Sequence, residues 1–205
     1  MDDRIGYSRL TELNRCYRDI LMAVGTSPDA YRDYNLDKLL PETIAAMGEQ
    51  ADRLLLLGDL LYHGPRNDLP REYAPKEVIA MLNDRASDLL CVRGNCEAEV
   101  DQMVLDFPVM ADYALLNLGE RLGFVTHGPL FNEQQLPPLK KGDILLHGHT
   151  HIPACREMAN GAMYLNPGSV SLPKEDSWHG YMTLEDGAFL WKDMDGMERQ
   201  QYTVR

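Results

Sequence analysis

The chain has 205 residues, 44% of them hydrophobic, and its 32 acidic against 20 basic side chains give a formal net charge of −12. That size and apolar content suit a single domain with a proper core, and exclude a disordered tail or a stapled mini-protein. Such acidity argues against a nucleic-acid-binding surface, although an acidic protein can bind a phosphate ester where metal ions supply positive charge locally.

Cys16, Cys91, Cys96 and Cys155 are scattered and form no CxxC pair, so they read as reduced cytosolic thiols rather than a disulfide frame or a zinc knuckle. Residues 1–20 carry Asp2, Asp3, Arg4, Arg9, Arg15 and Arg18 and contain no signal-peptide apolar region. No stretch approaches the ~18 apolar residues that span a bilayer. A soluble cytoplasmic protein with no membrane partner is the expectation.

The periodicity of Leu10, Leu13, Tyr17, Ile20, Leu21 and Val24 predicts a helix over residues 8–24, with Ser8 as N-cap and Gly25 as stop. A turn-rich stretch follows, then a second predicted helix over about residues 36–47, with Pro41 acceptable only in its first turn. Leu54-Leu55-Leu56-Leu57 is a strand leading into Gly58-Asp59, and Leu89-Leu90-Cys91-Val92 is another leading through Arg93 into Gly94-Asn95-Cys96. A helical window around residues 75–84 lies between them, so the three describe a βαβ unit with a buried sheet. Strands are then expected at 113–118, 121–126, 143–147, 162–165, 180–184 and 188–192, with Asp186-Gly187 as a hairpin turn between the last pair. No internal repeat, low-complexity tract or linker divides the chain, so residues 1–205 are taken as one domain.

In open α/β sheets, ligands bind beyond the carboxyl ends of the strands. The residues found there are Asp59, Asn95, His127, and His149 with His151, all of types that bind metal through carboxylate oxygen, amide oxygen or imidazole nitrogen. His149 and His151 have the i, i+2 spacing that places extended residues on one face. Each residue also has a plain structural alternative. A Gly-Asp step often just ends a strand, Asn tolerates positive φ in a turn, and His127-Gly128 fits a satisfied turn histidine. Turn chemistry does not account for four successive strand ends that each carry a ligand-type residue.

The ordered set Gly-Asp, Gly-Asn, Thr-His-Gly and Gly-His-Thr-His resembles the calcineurin-like metallophosphoesterases, over about residues 45–205. The segments Gly58-Asp59-Leu60-Leu61-Tyr62-His63-Gly64-Pro65-Arg66-Asn67 and Asn166-Pro167-Gly168-Ser169, together with Cys96, resemble the small bacterial phosphodiesterase branch. The resemblance implies an α/β fold, a sandwich of two mixed β-sheets flanked by helices in α-β-β-α layers. It also implies two divalent ions (manganese, zinc or similar): Asp59 bridges both, Asn95, His127 and His149 complete one site, and His151 belongs to the other. A hydroxide bridging the ions would attack phosphorus in line. His63, Arg66 and Asn67 are candidates for the substrate-binding rim, and Arg66 has the guanidinium that suits two phosphate oxygens. No catalytic side chain is assigned.

The sequence departs from the family at several places. Cys96 stands where most of the superfamily has a histidine near the leaving group, and a thiol is no imidazolium donor, so activated diesters would be favoured. Cys96 as a small packed residue is the alternative. Glu97 follows where aspartate is usual, and Pro129 stands where related sequences often have a second histidine. The family's opening Asp-x-His motif is missing. Its neighbourhood reads Pro28-Asp29-Ala30-Tyr31-Arg32-Asp33-Tyr34-Asn35, which makes residues 1–35 atypical. Either Asp29 or Asp33 replaces the aspartate and Tyr31 or Asn35 the histidine, or the second ion lacks ligands and activity is weakened. The leading function is a metal-dependent phosphodiesterase acting on a small phosphodiester. The alternatives are a catalytically impaired metal-binding scaffold of the same fold, and a nucleotide or cyclic-nucleotide hydrolase. Resemblance alone adds the expectation of a homo-oligomer.

Overall fold

A computed structural model describes residues 53–61, 75–168, 173–178, 180–193 and 195–204. The two helices expected over 8–24 and 36–47 lie outside these residues. The βαβ unit is present: β1 (Leu54–Leu56) and β2 (Leu89–Cys91) pair in parallel, with α1 (Pro75–Asp84) between them. Proline opens α1, where its missing N–H costs nothing. The helix buries Val78 and Leu82, one turn apart on the same face. A short helix α2 (Glu99–Val104) follows the second loop.

The second half forms two sheets. β3 (Ala114–Leu118), β4 (Arg121–Thr126), β5 (Ile144–His147), β6 (Pro153–Glu157) and β7 (Met163–Pro167) make a five-stranded sheet ordered β3-β4-β5-β7-β6. It is mixed: β5 lies parallel to β4 and β7, whereas β3 and β6 run antiparallel at the edges. β8 (Gly180–Glu185), β9 (Ala188–Asp193) and β10 (Glu198–Thr203) form an antiparallel meander. The expected two-residue turn joins β8 to β9, with φ of 47° at Asp186 and 79° at Gly187, the pair of positive values that matches strand twist.

One core joins the sheets. Val125, Ile144, Leu146 and Leu165 of the five-stranded sheet pack against Met182, Leu184, Phe189 and Trp191 of the meander, and Leu55 and Val92 enter the same cluster. The opposite face of the five-stranded sheet buries Phe124, Leu145, Met158, Ala162 and Tyr164. Central β5 is therefore covered on both faces, which is why Ile144-Leu145-Leu146 is a continuous apolar run.

Among the described residues, two strands and one α-helix escaped the sequence patterns. β6 and β10 are sheet edges of mixed composition (Pro-Ala-Cys-Arg-Glu and Glu-Arg-Gln-Gln-Tyr-Thr) and largely lack buried positions, so no hydrophobic alternation marks them. α2 has only six residues and none is buried.

Candidate metal centre

Asp59, Asn95, His127 and His149 follow the carboxyl ends of β1, β2, β4 and β5 respectively, and the fold brings all four together. His127, only 4% exposed, holds the middle. Its Nδ1 lies 2.5 Å from the Leu57 carbonyl oxygen, which only accepts, so this nitrogen carries the ring proton and Nε2 of the neutral ring presents a lone pair. Around Nε2 stand Asn95 Oδ1 at 3.0 Å, His149 Nδ1 at 3.1 Å and Asp59 Oδ2 at 3.2 Å. The ligand atoms of Asp59, His127 and His149 all lie within 4.8 Å of one another.

The oxygens of Asp59 and Asn95 are acceptors crowded against the bare Nε2 of His127, and His149 adds a fourth lone pair in the tautomer that leaves Nδ1 unprotonated. A proton on Nε2 satisfies one acceptor, whereas a divalent cation satisfies all four. One carboxylate, one amide oxygen and two imidazoles form a mixed oxygen and nitrogen set suited to zinc, manganese and similar ions. Anchoring of the far imidazole nitrogen by a carbonyl is also how metal-binding histidines are usually oriented. The residues present therefore fit a divalent ion.

The electrostatics point the same way. Burial works against ionisation of Asp59, but the hydrogen bond and charge of His127, with the Cys96 N–H at 2.8 Å, hold its carboxyl below the ordinary range. His127 is pulled down by burial and raised further by Asp59, so its proton affinity ends above the usual value. Burial, then the nearby carboxylates of Asp59 and Glu97, push the Cys96 thiol up to about 12, which leaves it protonated.

Glu97 braces the centre. Its carboxylate, 4% exposed, accepts N–H groups from Asp59 at 2.7 Å, Leu60 at 2.5 Å and Gly94 at 2.5 Å, tying the loop after β1 to the loop after β2. Burial nevertheless raises its pKa, opposed by those backbone donors. The two loops touch at Gly58 and Gly94, where a Cβ on Gly58 would collide with the Gly94 backbone. Asp59, His149 and His151 adopt left-handed φ values of 63°, 60° and 62°. Such values are uncommon outside glycine and tend to gather at functional sites.

Beneath the Gly148–His151 turn lies Asn166, fully buried on β7. Its amide donates to Gly148 O at 2.8 Å and Thr150 Oγ1 at 3.0 Å, and its oxygen accepts Gly168 N at 2.9 Å. Trp191 Nε1 donates to the Asn166 carbonyl at 2.7 Å. Beside it the buried ring of His147 meets Tyr164 Oη through Nδ1 at 3.0 Å, while its Nε2 finds no partner. Burial first, then the neighbouring His127 and His149, lower the His147 pKa to about 4.

Among the described residues His151 does not join the converging group, although its half-exposed side chain sits one turn residue beyond it. His63, Arg66 and Asn67, the expected rim, lie outside the described residues, as do Asp29, Tyr31, Asp33 and Asn35. Sequence reasoning missed the parts played by Glu97, Asn166 and His147. Only His147 had a usable signal, since it precedes His149 by two residues at the end of a strand.

A sequence profile of the calcineurin-like phosphoesterase superfamily domain matches residues 22–186. Phosphodiesterase YfcE of Escherichia coli (strain K12) is 46% identical over 136 residues, covering 66% of this chain and 73% of that protein. The probable metallophosphoesterase YsnB of Bacillus subtilis (strain 168) is 30% identical over 139 residues, covering 63% and 71%. The solved structure of YfcE, a phosphoesterase from E. coli, matches with a TM-score of 0.75 at 37% identity, covering 89% of this chain and 96% of that one.

Proposed function

Since the chain belongs to the calcineurin-like phosphoesterase superfamily, we propose that it hydrolyses a small phosphodiester at a divalent-metal centre. Asp59, Asn95, His127 and His149 hold the first ion, and His151 with Asp59 serves the second. When bound, such ions supply a water of lowered pKa as nucleophile and neutralise charge on the phosphoryl oxygens. The chain's own part is positioning. Leu57 O fixes the His127 tautomer, Glu97 sets Asp59 against Asn95, and Asn166 holds the turn that carries His149. The observation that carries this reading is the convergence of three ligand-type atoms, from Asp59, Asn95 and His149, on His127 Nε2 at 3.0 to 3.2 Å. Likeness to a phosphodiesterase supports a diester as substrate.

Manganese is the first ion to try, and His63, Arg66 and Asn67 remain the proposed substrate rim. Free thiols at Cys91, Cys96 and Cys155 support a reducing compartment such as the cytoplasm. No helix among the described residues is long and apolar enough to cross a membrane. We take the chain as one domain that associates with further copies of itself.

The test is hydrolysis of bis(4-nitrophenyl) phosphate with added manganese, run beside Asp59→Asn. Equal rates for both proteins would defeat the enzyme reading. A second reading, a metal-binding scaffold without turnover, is favoured by the missing Asp-x-His motif in the N-terminal segment. Metal stoichiometry separates the two: two tightly held ions per chain argue for the enzyme, whereas one ion without turnover argues for the scaffold.

A further inference from the structure

An open cavity of about 300 Å³ borders the centre, lined by Arg93, Gly94, Asn95, Asp112, Pro129 and Leu130. Because Asn95 belongs to both, an ester arm of a phosphate held at the centre has this cavity beside it. Its walls differ in chemistry. Pro129 and Leu130 are exposed and apolar, with Leu130 51% exposed, and they offer a surface for an uncharged or aromatic group. Asp112 offers a carboxylate that disfavours an anionic arm.

Breaking a P–O bond leaves negative charge on the departing oxygen, and a hydrogen-bond donor aimed at that oxygen lowers the barrier. Most donors along this wall are already engaged. The Gly94 N–H is on Glu97 Oε2 at 2.5 Å. Asn95 faces His127 through its oxygen and donates its amide to Cys96 Sγ at 3.3 Å. Pro129 has no N–H. Arg93 is different. Its backbone is fixed by a hydrogen bond to Ala111 O at 2.7 Å, and the residue lines the cavity and is partly buried. Its guanidinium makes no hydrogen bond or ion pair among the described residues, Asp112 included. In a chain of net charge −12, a partly buried cation without a counter-ion calls for an anionic partner.

We propose that Arg93 is a catalytic residue whose guanidinium donates to the leaving ester oxygen, while the arm attached to that oxygen lies along Pro129 and Leu130. The inference rests on the phosphodiesterase reading above. Hydroxide attacks phosphorus, the P–O bond to the arm breaks, and the arm's oxygen takes the electron pair. Guanidinium does not give up its proton near neutral pH, so the arm leaves as an anion and is protonated afterwards by water. The substrate class that follows is a diester with one uncharged, apolar or aromatic arm derived from an acidic alcohol.

The experiment uses a series of aryl methyl phosphates whose phenols differ in acidity, assayed with manganese in wild type, Arg93→Met and Arg93→Lys. For the 4-nitrophenyl ester, Arg93→Met is expected to lower kcat/KM only a few-fold. For the unactivated phenyl ester the loss should reach about 100-fold, the scale of removing one donor from a developing oxyanion. Lysine should restore part of that loss, and manganese affinity should be unchanged in both variants. An equal loss across the series, or none, overturns the role of Arg93 while leaving the phosphodiesterase reading intact. Failure of the wild type to hydrolyse any ester defeats both.

Discussion

Replacing Glu97 with glutamine tests how the two ligand loops are joined. The carboxylate accepts three backbone N–H groups, two on Oε2 (Asp59 and Gly94) and one on Oε1 (Leu60). Glutamine keeps one oxygen. Turned to serve Asp59 and Gly94, it sets its own N–H2 against the Leu60 N–H, leaving a buried donor unsatisfied at a cost of about 1–3 kcal/mol. The two remaining bonds lose their charge assistance, roughly 1 kcal/mol each. Part of this is returned, because the neutral side chain escapes the desolvation that raises the Glu97 pKa. The net expectation is a destabilisation of about 2–3 kcal/mol, visible as a lower urea midpoint with an unchanged m-value. Manganese affinity, followed by titration calorimetry, should fall roughly tenfold as Asp59 and Asn95 lose their common brace. An unchanged midpoint together with unchanged manganese binding would show that the brace is dispensable and refute the reasoning.

Asp59→Asn removes the carboxylate from the converging group, so the manganese-induced rise in melting temperature expected of wild type should vanish in the variant. Asn166→Ala leaves the Gly148 carbonyl and the Gly168 N–H without their partner, and urea unfolding should register a loss of about 2–4 kcal/mol. His147 makes stability depend on acid. The unfolded chain takes up its proton near 6.5 and the folded chain only near 4, so stability is lost as pH falls through that window and no further below it. The full loss is about 3 kcal/mol. His147→Gln should flatten the slope of unfolding free energy between those pH values.

The legible parts of this chain were those governed by local pattern. Continuous apolar runs marked β1, β2 and β5, of which β5 is buried on both faces, and a Gly, Asp, Asn or His within three residues of each run marked the strand end where ligands collect. The invisible parts depended on tertiary context. Nothing in Gly-Asn-Cys-Glu announces that Glu97 folds back across 38 residues of sequence to meet the Asp59 N–H. Asn166 stood out only within the family-like segment Asn166-Pro167-Gly168-Ser169, and its burial under the Gly148–His151 turn exists only once β5 and β7 are paired. The edge strands β6 and β10 left no hydrophobic alternation to read because they have few buried positions.

The left-handed backbone at Asp59, His149 and His151 has a consequence for experimental design. Asparagine and aspartate tolerate that region, but alanine does so only with strain. Alanine scanning here would change two variables together, the ligand and the shape of the turn that presents it. A dead alanine variant would then say little about chemistry. Asparagine at each of the three positions removes the native metal-binding group with least disturbance to the turn, and glycine restores conformational freedom without any side chain. Comparing these two substitutions separates what the side chain donates from what the loop geometry contributes.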